Sequence, residues 1–218
     1  MNKPITVLLV DDHAMVRGML RGLLENTEDI RVVGSVANAA DGVTEAIRHK
    51  PDVMLMDIDL PGLSCFDAAQ TIRIRSPETR VLFLSAFFHD RYIEQALNVQ
   101  AWGYITKSEP EESIIKAIRK VCSGVAYFSP EVQSRIVVDA NGARLATPIR
   151  SRASTLSDRE LEVLRYLARG MQKKEIAQVM CISVNTVNRH TTSLMNKLDI
   201  HDRVELARFA IREGLAEA

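Results

Sequence analysis

Asp11 and Asp12 stand side by side directly after the apolar run Val7-Leu8-Leu9-Val10. Two neighbouring carboxylates repel each other by roughly 4 kcal/mol at an effective dielectric near ~20. A hard divalent cation relieves that repulsion. Mg²⁺ in particular accepts one or two carboxylates and keeps much of its water. Three further polar residues follow the same pattern. Asp57 ends the run Val53-Met54-Leu55-Met56, Ser85 ends Val81-Leu82-Phe83-Leu84, and Lys107 ends Gly103-Tyr104-Ile105-Thr106. A carboxylate nucleophile, a cation held by two acids, a hydroxyl and an ammonium together suit transfer of a phosphoryl group onto a carboxylate. Asp57 is the best nucleophile. Asp11 and Asp12 are the candidate Mg²⁺ ligands, Ser85 bonds one phosphoryl oxygen and Lys107 pairs with another.

The elements that must position these residues can be read from the spacing of apolar residues. Short buried runs near residues 7–10, 30–37, 53–57, 80–87 and 101–107 alternate with amphipathic stretches at 15–24, 41–50, 66–75, 91–100 and 111–124. The period is about 25 residues per strand–helix unit. Such alternation predicts an α/β domain with a doubly wound, five-stranded parallel sheet and right-handed crossovers. Every candidate residue then falls at the carboxyl end of a strand, the edge where open α/β sheets bind their ligands. Solvated turn acids alone do not account for four separate strand ends converging in this way.

The motifs LLVDDH (8–13), DVMLMDIDLPG (52–62), LFLSA (82–86) and GYITK (103–107) resemble the receiver domain of two-component response regulators. The resemblance covers residues 5 to about 124. It implies Asp57 as phosphoacceptor, Mg²⁺ held by Asp11, Asp12, Asp57 and the backbone carbonyl of Asp59, phosphate partners in Ser85 and Lys107, and a switch aromatic in Tyr104. Ser64-Cys65 and Phe87-Phe88-His89 depart from the usual pattern but touch none of these positions. His13 reads as a packing or capping residue. Asp57-Ile58-Asp59 also resembles the acid pair of haloacid-dehalogenase-type phosphatases. That pair ends the first strand of its fold, not the third as here, so the chain is read as a regulator and not an enzyme.

Residues 1–124 form the expected receiver domain and 125–152 a linker. Within the linker, 129–140 can form a short helix with Ser129 as N-cap, and 141–155 reads as an exposed tether. Residues 153–218 form a second, all-α domain. Ser157 and Glu160 make a capping box at the start of its first helix, which Gly170 closes. Residues 173–180 are a second helix. Residues 185–198 are a third, capped by Ser183, with Val184, Val187, Thr191, Leu194, Met195 and Leu198 inward. Residues 203–215 are a fourth. A tight turn at Cys181-Ile182-Ser183 makes a helix-turn-helix. The outward face of the third helix is polar and lightly charged, which suits reading base edges.

Residues 156–200 resemble the LuxR-type DNA-binding domain, and the whole chain resembles the NarL/FixJ class of response regulators, nearest its GacA/UvrY branch. The resemblance implies that Asn188, Arg189 and Thr192 read bases and that the last helix supplies a dimer contact. Lys173, Lys174 and Lys197 lie where backbone phosphates would be. Asn188 stands where many relatives have lysine, and Met171-Gln172 replaces the more usual Ser-Asn. The implied partners are a sensor histidine kinase, or acetyl phosphate in its place, double-stranded DNA, and a second copy of the chain once phosphorylated.

Composition agrees with this division. The chain has 28 basic and 28 acidic residues. Residues 1–124 carry 14 basic and 17 acidic residues, and residues 150–218 carry 12 and 9, so the back half is the one suited to a polyanion. Cys65, Cys122 and Cys181 have no metal-type spacing and cannot all pair, which points to a reduced, cytoplasmic setting. No apolar run is long enough for a membrane span.

Overall fold

The computed structural model describes residues 3–86, 89–139, 142–145, 152–213 and 215–216. The departure at Phe87-Phe88 and residues 146–151 of the expected tether lie outside the described residues. The chain divides into two compact units, one spanning most of residues 1–146 and the other most of 147–218. No helix among the described residues is long and apolar enough to cross a membrane.

The first unit alternates as its sequence requires: β1 (Ile5–Val10), α1 (Ala14–Glu25), β2 (Ile30–Val36), α2 (Ala39–His49), β3 (Val53–Asp57), α3 (Cys65–Arg75), β4 (Arg80–Ser85), α4 (Asp90–Asn98), β5 (Gly103–Thr106) and α5 (Glu111–Cys122). Its strands pair in parallel, and their order is β2-β1-β3-β4-β5 with one addition, β6 (Tyr127–Phe128), beside β5. The sheet therefore has six strands where the sequence predicts five. Two residues are too short a run for periodicity to mark as a strand. The addition depends on Gly103, because a Cβ there would stand 2.0 Å from the Tyr127 carbonyl oxygen.

Every residue of β3 is buried, as expected of a central strand covered on both faces. Val7, Leu9, Val53, Leu55, Leu82, Leu84 and Ile105 pack with Leu20 and Leu24 of α1 and Ile114, Ile118 and Val121 of α5. The alternate strand residues, among them Leu8, Met54, Met56 and Phe83, are equally buried. Pairing aligns the strand ends. Val10 lies opposite Met56, Asp57 opposite Leu84, and Ser85 opposite Thr106. This register, not any single turn, lines up the polar residues that follow each strand.

The linker differs from expectation. Among the described residues of the linker, helix forms only over α6 (Pro130–Gln133), and the chain then folds into an antiparallel pair, β7 (Ile136–Asp139) and β8 (Gly142–Leu145). Ile136-Val137-Val138 is a β-branched run that prefers the extended chain and overrides the helix the cap would start.

The second unit opens with a 3-10 turn at Arg152–Thr155, followed by α7 (Asp158–Ala168), α8 (Lys173–Val179), α9 (Val184–Leu198) and α10 (Arg203–Arg212). The Ser157–Glu160 capping box is formed at α7. Ser183 caps α9 by accepting the Thr186 N–H at 3.1 Å. Between α8 and α9, Cys181 takes the left-handed conformation (φ 53°) and the Ile182 N–H donates to the Ala177 carbonyl at 3.0 Å. These two features make the turn tight. Val187, Thr191, Leu194 and Leu198 are buried as predicted, whereas Val184, on the opening turn of α9, is exposed.

Candidate functional site

In the first unit, the strand-end residues converge. Asp11, Asp57 and Ser85 are all nearly inaccessible, and Asp59, two residues past the end of β3, is also buried. The Lys107 Nζ lies 2.8 Å from Asp11 Oδ2 and 3.1 Å from Asp57 Oδ2, so one ammonium bridges the ends of β1 and β3 from the end of β5. The other Asp11 oxygen accepts the His13 backbone N–H at 2.8 Å, and Arg17 Nη1 donates to the Asp11 carbonyl at 2.6 Å. Asp11 is thus fixed at both ends. Asp57 is not: its Oδ1 is buried with no hydrogen-bond partner among the described residues.

The electrostatics follow from this packing. Burial pushes the Asp57 carboxyl up to about 6; Lys107 pulls it back, and Asp11 and Asp12 add to the rise. Burial alone would lower the Lys107 ammonium, but Asp57 and Asp11 more than offset it and hold it above its ordinary value. An orphaned, buried carboxylate oxygen whose charged form burial disfavours is a costly feature in a structural core. It is what a cation site looks like before the cation is counted. One oxygen of each of Asp11, Asp12 and Asp57 and a ring nitrogen of His13 lie within 4.8 Å of one another. The oxygen set fits a hard divalent ion such as Mg²⁺.

Ser85 and Tyr104 are hydrogen-bonded to each other, and Tyr104 is fully buried; burial pushes its phenol well up, with the Ser85 bond pulling the other way. Ser64, one of the unusual residues of the loop after β3, caps α3 by accepting the Phe66 N–H at 3.3 Å, and Cys65 is buried behind it. His13 occupies the N-cap position of α1 but makes no side-chain cap. Its Nδ1 lies instead 2.8 Å from Asp12 Oδ1. The capping role expected of His13 is thus not taken up, and the doublet of acids before it is the sequence signal for its place.

In the second unit, α9 presents Asn185, Arg189, Thr192 and Asn196 as exposed and Asn188 as half-buried, so the three candidate base readers share one outward face. Lys173 and Lys174 are exposed on the first turn of α8. Lys197 is differently placed. Its Nζ lies 2.6 Å from Glu160 Oε2, which also accepts the Ser157 backbone N–H at 2.7 Å, while Glu160 Oε1 accepts the Ser193 hydroxyl at 2.5 Å. Burial would raise the Glu160 carboxyl, but Lys197, Ser193 and Ser157 outweigh it and hold it at about 2. One carboxylate therefore ties the start of α7 to two residues of α9 a turn apart. Sequence spacing marks Glu160 only as part of a cap.

Residues 7–119 match the family model for the response regulator receiver domain, and residues 154–210 match that for bacterial regulatory proteins of the luxR family. The oxygen regulatory protein NreC of Staphylococcus carnosus (strain TM300) is 33% identical over 214 residues, which is 97% of this chain and 99% of that protein. Among solved structures, the response regulator ChrA of a heme-sensing two-component system is 27% identical with a TM-score of 0.53, covering 98% of this chain and 100% of that one. RcsB of Salmonella enterica serovar Typhimurium, bound to a promoter with a phosphomimetic, is 20% identical with a TM-score of 0.64 over 95% of this chain and 98% of that one; this is a likeness of fold.

Proposed function

Because this chain belongs to the two-component response regulators of the NarL/FixJ class, with a receiver domain and a LuxR-type helix-turn-helix domain, we propose that phosphorylation of Asp57 controls its dimerisation and its sequence-specific binding to DNA, and through these transcription. On this reading residues 1–124 are the receiver, 125–152 the linker and 153–218 the DNA-binding domain. The observation that carries the reading is the Asp57 carboxylate, buried at the end of β3, with one oxygen 3.1 Å from Lys107 and the other unbonded.

Asp11, Asp12, Asp57 and the backbone carbonyl of Asp59 are the residues that would hold Mg²⁺. When bound, the ion supplies neutralisation of phosphoryl charge. An Asp57 oxygen attacks the phosphorus of a phosphohistidine in a sensor histidine kinase, or of acetyl phosphate. The new O–P bond forms as the bond to the leaving nitrogen or oxygen breaks. Lys107 and the Ser85 hydroxyl each hold one oxygen of the transferred group. Turning the Ser85 hydroxyl to the phosphoryl group breaks its bond to Tyr104, which relays the change away from the site. The phosphorylated chain dimerises and reads two half-sites, with Asn188, Arg189 and Thr192 on base edges and Lys173 and Lys174 on phosphates. Lys197, already paired with Glu160, holds α9 in place first and meets phosphate second.

Two experiments test this. Incubated with labelled acetyl phosphate and Mg²⁺, the wild-type chain takes up label and Asp57→Asn stays at background; equal labelling disproves the assignment. Selection from a random duplex pool enriches a motif more strongly in the presence of beryllofluoride. Arg189→Ala then loses the motif preference more than its affinity for arbitrary DNA. A uniform loss across sequences would make Arg189 a phosphate contact.

A further inference from the structure

The acidic corner of the first unit is not made of oxygen alone. His13 Nδ1 stands 2.8 Å from Asp12 Oδ1 and 3.4 Å from Asp11 Oδ1. In an octahedral site with bonds of about 2.1 Å, adjacent ligand atoms are about 3.0 Å apart and opposite ones about 4.2 Å. The pairs made by His13 have the adjacent spacing. The whole group, with Asp57, spans no more than 4.8 Å, so a small closure around an ion satisfies it. The second observation is independent of the acids' proximity. Asp57 Oδ1 is buried and unbonded among the described residues, and Asp57 is a member of this same group.

Backbone geometry explains why the imidazole points here. His13 sits at the N-cap of α1 with an extended backbone (φ −83°, ψ 110°), where a serine or aspartate would turn its side chain back onto the helix. The imidazole does not cap. The ring lies alongside the two acids, and the side chain keeps 59% exposure, which leaves an entry path from solvent. Imidazole nitrogen favours later first-row ions such as Co²⁺, Ni²⁺ and Zn²⁺, whereas carboxylate, carbonyl and water suit Mg²⁺.

We infer that His13 is a direct nitrogen ligand, through Nδ1, for imidazole-preferring divalent ions at the Asp11–Asp12–Asp57 site, so that such ions compete there with Mg²⁺. This rests on the proposed cation site and adds to it a fourth side chain with its own selectivity. A neutral imidazole gives its Nδ1 lone pair to the ion, and the contact with Asp12 is exchanged for a shared metal. Only ions that accept nitrogen gain from the exchange.

The test is calorimetric titration of the full chain with Ni²⁺ and, separately, with Mg²⁺, for the wild type, His13→Ser and Asp12→Ala. Serine is chosen because it is a good N-cap and keeps α1 folded; His13→Ala serves as a second variant without a hydroxyl. The expected result is a fall of at least tenfold in the ratio of Ni²⁺ to Mg²⁺ affinity in both His13 variants. An unchanged ratio overturns the inference. If both affinities are untouched, His13 is no ligand, and if both fall by the same factor, it only orients Asp12. Asp12→Ala should weaken both ions. If it weakens neither, the ions sit elsewhere, and the cation site itself is refuted along with the role of His13.

Discussion

Two lysine–carboxylate pairs of this molecule look alike by distance and differ in what surrounds them. Lys197 meets Glu160 at 2.6 Å, and both oxygens of that carboxylate carry further hydrogen bonds, from Ser193 and Ser157. Lys107 meets Asp57 at 3.1 Å, and the other Asp57 oxygen has none among the described residues. The first carboxylate is held at about 2 and the second raised to about 6. A satisfied buried charge stabilises its fold; an under-satisfied one is retained at a cost to stability and marks a place for a ligand. The contrast lies in the burial of Asp57 and in the number of donors each carboxylate receives, not in the presence of a lysine.

Replacing each carboxylate by its amide should therefore move stability in opposite directions. Glu160→Gln leaves the Lys197 ammonium without its counter-charge. The shift from 4.5 to about 2 corresponds to ~3 kcal/mol at most. Lys197 is partly exposed, and solvent screening brings the expected loss to about 1–2 kcal/mol. Hydrogen exchange across α9 and helical circular dichroism in urea would measure it; an unchanged midpoint would show that the network contributes nothing.

Asp57→Asn should instead stabilise the metal-free first unit, by about 1 kcal/mol, since a neutral amide escapes the burial penalty and the repulsion from Asp11 and Asp12 while giving up the attraction to Lys107. Trp102, the single tryptophan, lies in the first unit and reports its unfolding by fluorescence. Addition of Mg²⁺ should reverse the order, raising the wild type by linkage and leaving the variant where it was. A variant less stable than wild type in chelator would contradict the account of Asp57 as under-satisfied.

These two carboxylates also show what could be read from the sequence. Asp57 was legible because it ends a buried run, and because three other polar residues end runs of their own. Parallel pairing then brings together residues nearly a hundred positions apart in the chain. The Glu160–Lys197 tie was not legible. It joins residues 37 apart on two helices whose relative rotation no periodicity reports. The same holds for β6, which is too short to have a period, and for His13, whose role depends on a rotamer. In the linker a helix starts at Pro130 as its sequence predicts, but Ser129 makes no side-chain cap. The β-branched run six residues on ends that helix early, a competition that a start signal alone does not report.

The pH dependence should separate the two sites further. The folded value of Glu160 lies below its ordinary 4.5, so its contribution is complete above that pH and is lost as pH falls toward 2. Asp57 is raised from 3.8 to about 6, so in the metal-free state it has the reverse sign: its contribution favours folding below 3.8 and is lost as pH rises through 6. Taking each amide variant as the blank isolates one carboxylate at a time. The wild-type minus Glu160→Gln difference should shrink on acidification. The wild-type minus Asp57→Asn deficit should close over the higher window. Slopes of the same sign would remove the distinction.

The smallest effect concerns DNA, and it asks whether Lys197 has charge to spare. A lysine that neutralises one phosphate contributes about 0.9 to the slope of log affinity against log salt. On the proposed reading Lys174→Ala should lower that slope by nearly this amount. Lys197→Ala should lower it by less than half as much, because the Glu160 carboxylate already offsets its charge. Its loss of affinity should instead resemble that of Glu160→Gln, which perturbs the same tie without removing a positive charge. Fluorescence anisotropy on one duplex at four salt concentrations resolves the two slopes. Equal slopes for the two lysine variants would mean that Lys197 leaves Glu160 for the phosphate on binding, and that the tie holds α9 only in the free protein.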